Sequence, residues 1–288
     1  MANLHAYNPF TRRESHSSES VLAYKIFTLL SWLLSVVVSV YYCVQEPHDG
    51  HHIRNRIWDQ NYLYPSAFTM NSTMADIYWI VLFILQVGYV GHLFSSNSVY
   101  VNAAASVGSH FILNNLFHFA FVMLFVRSHF AWAEVMLILN FVNLSSLYFR
   151  HNTYPRFIHT PVVSMPLAWT FVAIYWNGAI MVPHQHNLVA RIFGNVFIWS
   201  ILAYGLFFIV AYKDYTMGFS LSVLAAAIGV AQFSRQIIAL QWIFAFVIMA
   251  VLFLMTLVVA VPAWSGKEFQ WRRAPPADQE RAPLLNDN

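Results

Sequence analysis

Long apolar stretches, separated by short polar segments, make up most of the 288-residue chain. A helix needs about 20 predominantly apolar residues to cross a bilayer, and eight stretches come close to that length or exceed it. We therefore predict an all-α, polytopic membrane helix bundle of about eight transmembrane helices within residues 26–263. The predicted helices lie near residues 26–44, 77–94, 105–126, 130–149, 162–182, 192–212, 215–233 and 237–261.

The last two predicted helices follow each other with almost no polar residues between them. As one straight helix, residues 215–261 would measure roughly 70 Å, more than twice the thickness of a hydrocarbon core of about 30 Å. Arg235 is the one charged residue in this region. We therefore predict that the chain turns back between Ser234 and Gln236.

Composition excludes most other protein classes. Hydrophobic residues make up 59% of the chain and charged residues only 9%, whereas ordinary soluble domains have about 25% charged residues. Such a chain has too few charges to cover the surface of a soluble fold, and it is unlike disordered, collagen-like or nucleic-acid-binding proteins. The lipid bilayer is therefore the expected partner, and nucleic acid is not.

The charged residues also predict an orientation. Ten Lys and Arg residues lie on the side of the predicted bundle that holds both tails, and five lie on the other side. Because cytoplasmic segments carry the excess of Lys and Arg, we expect both termini in the cytosol. Residues 1–25 and 264–288 are then cytosolic disordered tails, and the protein is an integral, multi-pass protein of the endomembrane system or of the vacuolar or plasma membrane.

Polar residues inside the predicted helices are candidates for function, because they are costly in lipid. His110, Asn114 and His118 recur every four residues and therefore share one face of the third helix. Glu134 and Asn177 lie in the fourth and fifth helices. Two interpretations remain open: a polar pocket between helices two to five, and ordinary interhelical hydrogen bonding.

Histidines cluster in two loops on the side opposite the tails. Imidazole is the commonest metal ligand, but the spacing of these histidines matches no known closed site and few carboxylates lie nearby. We predict no catalytic residue, no metal site and no cofactor, and a membrane enzyme with a metal held by these loops is the least favoured alternative. The histidines are His48, His51, His52, His184 and His186.

The tails contain short motifs that resemble sorting signals. Glu280, Leu284 and Leu285 fit an acidic dileucine pattern, and Asn8-Pro9-Phe10 resembles a tripeptide that endocytic adaptors bind. Both motifs act only in the cytosol, where the charge pattern places them. We therefore expect cytosolic sorting adaptors as possible partners.

Asn71 begins the tripeptide Asn71-Ser72-Thr73, which is an N-glycosylation sequon on the side opposite the tails. It lies about six residues before the second predicted helix, close to the membrane. The two open interpretations are a glycosylation site and the N-cap of that helix.

Three segments carry a resemblance to a known family. One of them, YPSAFTMNSTMADIYWIVLFILQVGYV, looks like the Phe-Thr-Pro turn and the aromatic-rich helix of that family, with Met70 in place of the Pro. RFIHTPVVSMPLAWTFVAIYWNGAIMV, with Trp169 and Asn177 eight residues apart, resembles the fifth helix of the TspO/translocator family and of the related tryptophan-rich sensory proteins. ILNNLFHFAFVMLF is similar to the Asn-x-x-Trp segment of that family, with Asn114 at the Asn and Phe117 in place of the Trp. The whole chain also resembles an uncharacterised family of fungal multi-pass membrane proteins.

The TspO resemblance implies a helical bundle with an aromatic pocket for a porphyrin, a sterol or a similar flat lipophilic ligand. We therefore expect a non-enzymatic protein that binds or moves such a ligand between helices two to five. Two alternatives are a proton-coupled transporter that uses His110, His118 or Glu134, and aromatics that only pack or form an interfacial belt. The predicted ligand-binding residues are Trp79, Asn114, Phe117, His118, Trp169 and Asn177.

Overall fold

Eight helices are long and apolar enough to cross a membrane in the computed structural model, which describes residues 16–49, 54–150, 155–182 and 187–265. The prediction of an all-α, multi-pass bundle is confirmed, and the described residues contain no β-strand. One further short helix, α2, precedes the second spanning helix. The helices are α1 (Ser18–Val44), α2 (Ile57–Leu63), α3 (Ser72–Leu93), α4 (Ser98–Phe125), α5 (Phe130–Arg150), α6 (Arg156–Ile180), α7 (Leu188–Tyr212), α8 (Tyr215–Arg235) and α9 (Gln241–Trp264).

The first helix extends further towards the N-terminus than its apolar stretch, which begins near residue 26. α1 begins at Ser18 because the side chain of Ser17 accepts a hydrogen bond from the backbone N–H of Ser20. Such a cap satisfies one of the free N–H groups at a helix start. The polar turns that follow belong to the same helix, so residues 18–25 are helical.

Buried residues are concentrated in α6 and α8, which form the middle of the bundle. α6 packs against α5 and α8, while α4 packs between α1 and α5. α8 and α9 form a tightly packed antiparallel pair, which α7 contacts. α1, α3 and α9 expose many apolar side chains on their outer surfaces. This distribution is expected for a bundle surrounded by lipid, because the side chains that contact lipid are mostly apolar.

Two prolines shape the first turns of α6. Pro166 has no backbone N–H to donate, and the backbone N–H of Met165, directly before it, bonds to the carbonyl of Thr160, five residues earlier. Thr160–Ser164 therefore forms a π-helical turn. The side-chain amide of Gln86 on α3 donates to the carbonyl of Pro161 at 3.2 Å.

The described parts of the connection between α1 and α3 cover one end of the bundle, which we call the loop face (residues 45–49 and 54–71 and the chain turns beside them). Gln60 on α2 donates to the carbonyl of Phe125 at 3.1 Å, at the end of α4. Gln232 on α8 donates to the carbonyl of Ser66 at 2.7 Å, and Gln241 on α9 donates to that of Ala67 at 3.0 Å. The loop therefore ties several helices together. The opposite end, which contains the turn between α7 and α8, is the Asp214 face.

Candidate ligand-binding cavity

A cavity of about 230 Å³ lies between α1, α2, α3, α4 and α6, in the half of the bundle next to the loop face. We call it the tryptophan cavity because four indoles line it. His118, its deepest residue on α4, lies seven residues before the end of that helix, which corresponds to about 10 Å of helix rise. The lining residues are Ser39, Val40, Cys43, Val44, Ile57, Trp58, Asp76, Trp79, Ile80, Phe83, His118, Phe121, Val122, Trp169 and Trp176.

Aromatic rings pack around Trp79 on the cavity wall. The Trp79 and His118 rings are stacked, with centroids 4.3 Å apart and an angle of 29° between their planes. Trp169 meets Trp79 edge to face at 5.1 Å, and Trp176 lies 6.0 Å from Trp169. These distances are typical of favourable aromatic pairs. The wall therefore offers π-faces with fixed orientations.

His118 supplies a polar group inside this aromatic wall. Its Nε2 atom lies 2.8 Å from the hydroxyl of Ser39 on α1. Because the Ser39 hydroxyl donates its one proton to the carbonyl of Ser35 at 2.8 Å, Nε2 of His118 is the donor towards it. His118 is therefore oriented by α1, and its ring face is held against Trp79.

More polar groups lie where the cavity approaches the loop face. Asp76, at the start of α3, accepts hydrogen bonds from the indole N–H of Trp58 at 2.8 Å and from the thiol of Cys43 at 3.7 Å. The indole N–H of Trp176 donates to Asn61 at 2.9 Å. Trp169 differs, because its buried indole N–H has no acceptor among the described residues. The cavity thus combines an apolar interior with a few hydrogen-bonding groups, as ligand pockets commonly do.

The cavity reaches the outer surface of the bundle between α1 and α3. Val40 and Val44 on α1 and Ile80 on α3 line it, and each of these side chains is more than half exposed. In a membrane, that outer surface faces lipid. The cavity is therefore open sideways towards the bilayer.

The structure brings three of the six predicted ligand-binding residues together. Trp79, His118 and Trp169 line the tryptophan cavity. Phe117 is half-buried and does not line it. Asn114 lies one turn deeper and accepts a hydrogen bond from Asn140 on α5 at 3.0 Å. Asn177 donates to the carboxylate of Glu134 at 2.7 Å and also lies outside the cavity.

Several of the buried polar residues form interhelical hydrogen bonds. His110 Nδ1 on α4 lies 2.7 Å from the side-chain oxygen of Asn143 on α5. The amide of Asn143 donates in turn to the carbonyl of His110 at 3.0 Å. Together with the Asn114–Asn140 and Asn177–Glu134 pairs, these contacts fit the second of the two interpretations that the sequence left open. Of the intramembrane polar residues predicted from the sequence, His118 combines such a bond with a place on the cavity wall.

Sequence reasoning missed several residues of the cavity. Trp58 lies on the short helix α2, and Cys43 lies near the end of α1. The helical spacing of Asp76, Trp79 and Phe83, which places all three on one face, was a signal that could have identified this wall of α3. Ser39 and Cys43 are likewise four residues apart on α1. They were not predicted, because they lie within a long apolar stretch.

Asn71 is the N-cap of α3, where its side-chain oxygen accepts a hydrogen bond from the backbone N–H of Met74 at 3.1 Å. Its glycosylation stays a prediction. Of the loop histidines, only His48 belongs to the described residues, and those residues contain no group of three or more His, Cys, Asp or Glu that could hold a metal ion. The predicted sorting motif at Glu280, Leu284 and Leu285 and the tripeptide at residues 8–10 lie outside the described residues.

A second polar cluster, also missed, surrounds Asp214 at the N-cap of α8. One carboxylate oxygen accepts hydrogen bonds from Ser164 at 2.7 Å, Tyr148 at 3.1 Å and His159 at 3.3 Å. The other accepts from the hydroxyl and the backbone N–H of Thr216 and from the N–H of Met217. Burial alone would raise the pKa of Asp214, but the hydrogen bonds from His159 and the other donors hold it below its ordinary value.

Comparison with known proteins identifies relatives without assigning an activity. A family described as "Fungal protein of unknown function (DUF1774)" matches residues 191–285, which include Asp214 but not the tryptophan cavity. The "Uncharacterized protein C637.03" of Schizosaccharomyces pombe is 36% identical over 118 residues, which are 41% of this chain and 40% of that protein. The chain therefore matches less than half the length of this relative. No solved structure matches the chain. These similarities support an uncharacterised fungal protein family.

Proposed function

We propose that this integral membrane protein binds a small, flat, lipophilic molecule in the tryptophan cavity. The observation that carries the proposal is the aromatic cluster of Trp79, His118 and Trp169 on the wall of a cavity that is open to lipid. Indole faces favour planar rings. The indole N–H of Trp169, which has no acceptor among the described residues, would gain one from an oxygen on such a ligand.

The size of the cavity limits the ligand. Small-molecule sites usually have volumes of about 300–1,000 Å³, and this one has about 230 Å³. A cavity of this size favours one or two fused rings, or part of a larger ring system whose remainder extends between α1 and α3. Sterol-like and porphyrin-like molecules fit the proposal in this second way.

The resemblance to the TspO/translocator family supports the same class of ligand through Trp169. The two asparagines of that resemblance, Asn114 and Asn177, bond to α5 instead and lie outside the cavity. We therefore propose that Trp169 contacts the ligand, as the resemblance implies, and that Asn114 and Asn177 do not.

Proton-coupled transport is the second candidate function. His110, His118 and Glu134 bond to α5, α1 and α6 respectively. Each of these three residues therefore has a hydrogen bond that helps to hold two helices together. Of the three, only His118 lies on the cavity wall. We therefore favour binding over proton-coupled transport, and we propose a protein without enzymatic activity.

We further propose that the Asp214 face and both tails are cytosolic, in the endomembrane system or in the vacuolar or plasma membrane. The support for this orientation is the excess of Lys and Arg, ten residues against five, on the side of the bundle that holds both tails. The dileucine and Asn-Pro-Phe motifs would then be accessible to sorting adaptors.

Binding can be tested with two fluorescent or absorbing probes, dehydroergosterol and protoporphyrin IX, added to the purified protein in detergent. We expect saturable quenching of tryptophan fluorescence by at least one probe. Trp79→Leu should weaken its binding about tenfold, which corresponds to about 1.4 kcal/mol, a typical value for a lost aromatic contact.

Trp132→Leu is the matched control, because Trp132 is 66% exposed on α5 and lies outside the cavity. Its affinity should equal that of the wild type. Equal affinities of Trp79→Leu and Trp132→Leu, or no saturable quenching by either probe, would contradict the proposal.

A further inference from the structure

We propose that a second cavity, at the Asp214 face, binds a phosphate-bearing anion. This polar cavity has a volume of about 390 Å³ and lies between the ends of α5 and α7 and the beginnings of α6 and α8. It is at the opposite end of the bundle from the tryptophan cavity. The residues that carry the argument are Arg156, His159, Lys213, Asp214 and Tyr215.

Two cations on the wall of the polar cavity have no acidic partner among the described residues. Arg156 and Lys213 are both exposed, and neither belongs to an ion pair within the part of the chain that the structure describes. Unpaired cations that line a concave site attract anions, and guanidinium groups bind phosphate through paired N–H donors.

Arg156 is held in place before any ligand arrives. Its guanidinium donates to the hydroxyl of Tyr215 at 2.5 Å and lies 4.6 Å above the ring of the same tyrosine. Of the described residues, only Tyr215 accepts a hydrogen bond from it, so its other N–H groups remain for a ligand. A positioned donor loses less conformational entropy on binding than a free one.

Asp214 offsets only part of this positive charge, because its single negative charge stands against the two cations of Arg156 and Lys213 on the same wall. Its two carboxylate oxygens accept six hydrogen bonds from α5, α6 and α8, and its side chain is buried. His159 contacts Asp214 through Nε2 and also lines the cavity. Asp214 therefore fixes the wall, and Arg156 and Lys213 leave an excess of one positive charge on it.

The depth of the polar cavity points to the class of ligand. Lys213 lies in the turn between two spanning helices, with Tyr212 and Tyr215 near it. Tyrosine and cationic residues at helix ends mark the level of lipid headgroups. A phosphate at this level belongs to a phospholipid headgroup or to a small phosphate compound in the adjacent water, and both present the same chemistry to Arg156 and Lys213.

The test uses the full-length protein in detergent, with the shift of its thermal unfolding midpoint as the measure of binding. The probes are dioctanoyl phosphatidic acid, inorganic phosphate and, as the zwitterionic comparison, dioctanoyl phosphatidylcholine. We expect saturable stabilisation by phosphatidic acid, and a half-saturating concentration about tenfold higher for Arg156→Gln and for Lys213→Asn. Lys213→Asn keeps the fold, because asparagine tolerates the left-handed conformation that Lys213 adopts at φ 53°.

Lys25→Gln is the matched control, since Lys25 is a cation near the same face that lies outside the cavity, 5.3 Å from the ring of Phe94. It should bind phosphatidic acid as the wild type does, and Arg156→Lys should fall between the wild type and Arg156→Gln. Stabilisation by inorganic phosphate as well would identify the phosphate group itself as the ligand, and stabilisation by the lipid alone would identify a headgroup site. Wild-type binding by both Arg156→Gln and Lys213→Asn, or equal stabilisation by phosphatidylcholine, would overturn the proposal.

Discussion

Asp214 links three helices through one side chain. Donors from α5, α6 and α8 converge on its carboxylate, and the side chain is almost completely buried. A buried carboxylate stays ionised only while its hydrogen-bond donors remain in place. The donors in turn need the charged carboxylate as their acceptor. The stability of the Asp214 face therefore rests on the ionised form of this residue.

Replacing Asp214 by asparagine should destabilise the protein by about 3 kcal/mol at pH 7, because removal of one member of a buried charged network leaves its partners without a full acceptor. The folded pKa of Asp214 is lowered. The wild-type advantage should therefore be complete well above the ordinary aspartate pKa of about 3.9 and should decline as the pH falls below it. Unfolding titrations with SDS in mixed micelles at pH 7 and pH 3 measure both effects.

Asp59→Asn is the control for this substitution, because Asp59 belongs to an exposed ion pair with Arg56. Its effect should lie between about 0 and 1 kcal/mol. A penalty for Asp214→Asn at pH 3 as large as that at pH 7 would show that shape rather than charge accounts for its contribution.

The residues of the tryptophan cavity show how far sequence reasoning reaches. The resemblance to the TspO/translocator family suggested Trp79 and Trp169, helical spacing identified His118, and all three line one cavity. The same reasoning grouped Asn114 with His118, since four residues separate them on one helix face. The cavity lies only in the half of the bundle next to the loop face, however, and Asn114 lies one turn further from that face than His118, outside the cavity. Spacing predicts the face of a helix but not the depth at which a cavity ends.

At the scale of elements, the number of spanning helices followed from length and hydropathy alone. The beginnings of helices were harder to predict, because α1 starts within polar residues that a side-chain cap makes helical. α2 was not predicted, since seven residues in a polar loop leave no clear periodicity. Its buried residues bond to groups far along the chain: Gln60 donates to the carbonyl of Phe125, and Asn61 accepts from the indole N–H of Trp176. Such contacts have no local signal in a sequence.

The packing of α8 against α7 and α9 depends on a helical glycine. A Cβ atom at Gly218 would lie 2.1 Å from the hydroxyl of Thr256 on α9 and 2.8 Å from Ile209 on α7. We expect Gly218→Ala to destabilise the protein by about 1–3 kcal/mol, because stiff β-branched neighbours must move to admit the methyl group. The same SDS titrations at neutral pH measure the change.

Gly88 provides the comparison, because a Cβ atom there meets nothing within 4 Å on the outer surface of α3. Gly88→Ala should be neutral or stabilising, by at most about 1 kcal/mol, as alanine favours helices. Equal effects of the two substitutions would mean that helix propensity, and not close packing, determines the cost at Gly218.

At the scale of the whole molecule, eight spanning helices divide the connections between two faces. We expect single cysteines introduced at Ser96 and Lys213 to share one face, and those at His129 and Ser234 to share the other, in a Cys43→Ser background. In sealed microsomes, whose outer face is cytosolic, a membrane-impermeant maleimide should label the first pair directly. The second pair should react only after detergent is added.

The labelling pattern separates topology from orientation. Labelling of one member of a pair without the other would contradict the order of the helices. The reverse pattern, with His129→Cys and Ser234→Cys labelled directly, would keep the helix order and contradict the cytosolic assignment of the Asp214 face. The positive charges of the sequence predicted this orientation, but no single contact within the bundle determines it.

The sideways opening of the tryptophan cavity between α1 and α3 determines how an affinity for its ligand has to be expressed. A molecule that arrives through the bilayer is present at a concentration determined by its mole fraction in the lipid, and not by its amount in the surrounding water. For a ligand that stays in the lipid, dilution with buffer would leave occupancy unchanged, whereas added empty lipid would lower it. A dissociation constant in aqueous molar units would therefore combine partitioning with recognition, and only the mole-fraction value reports what the four indoles contribute.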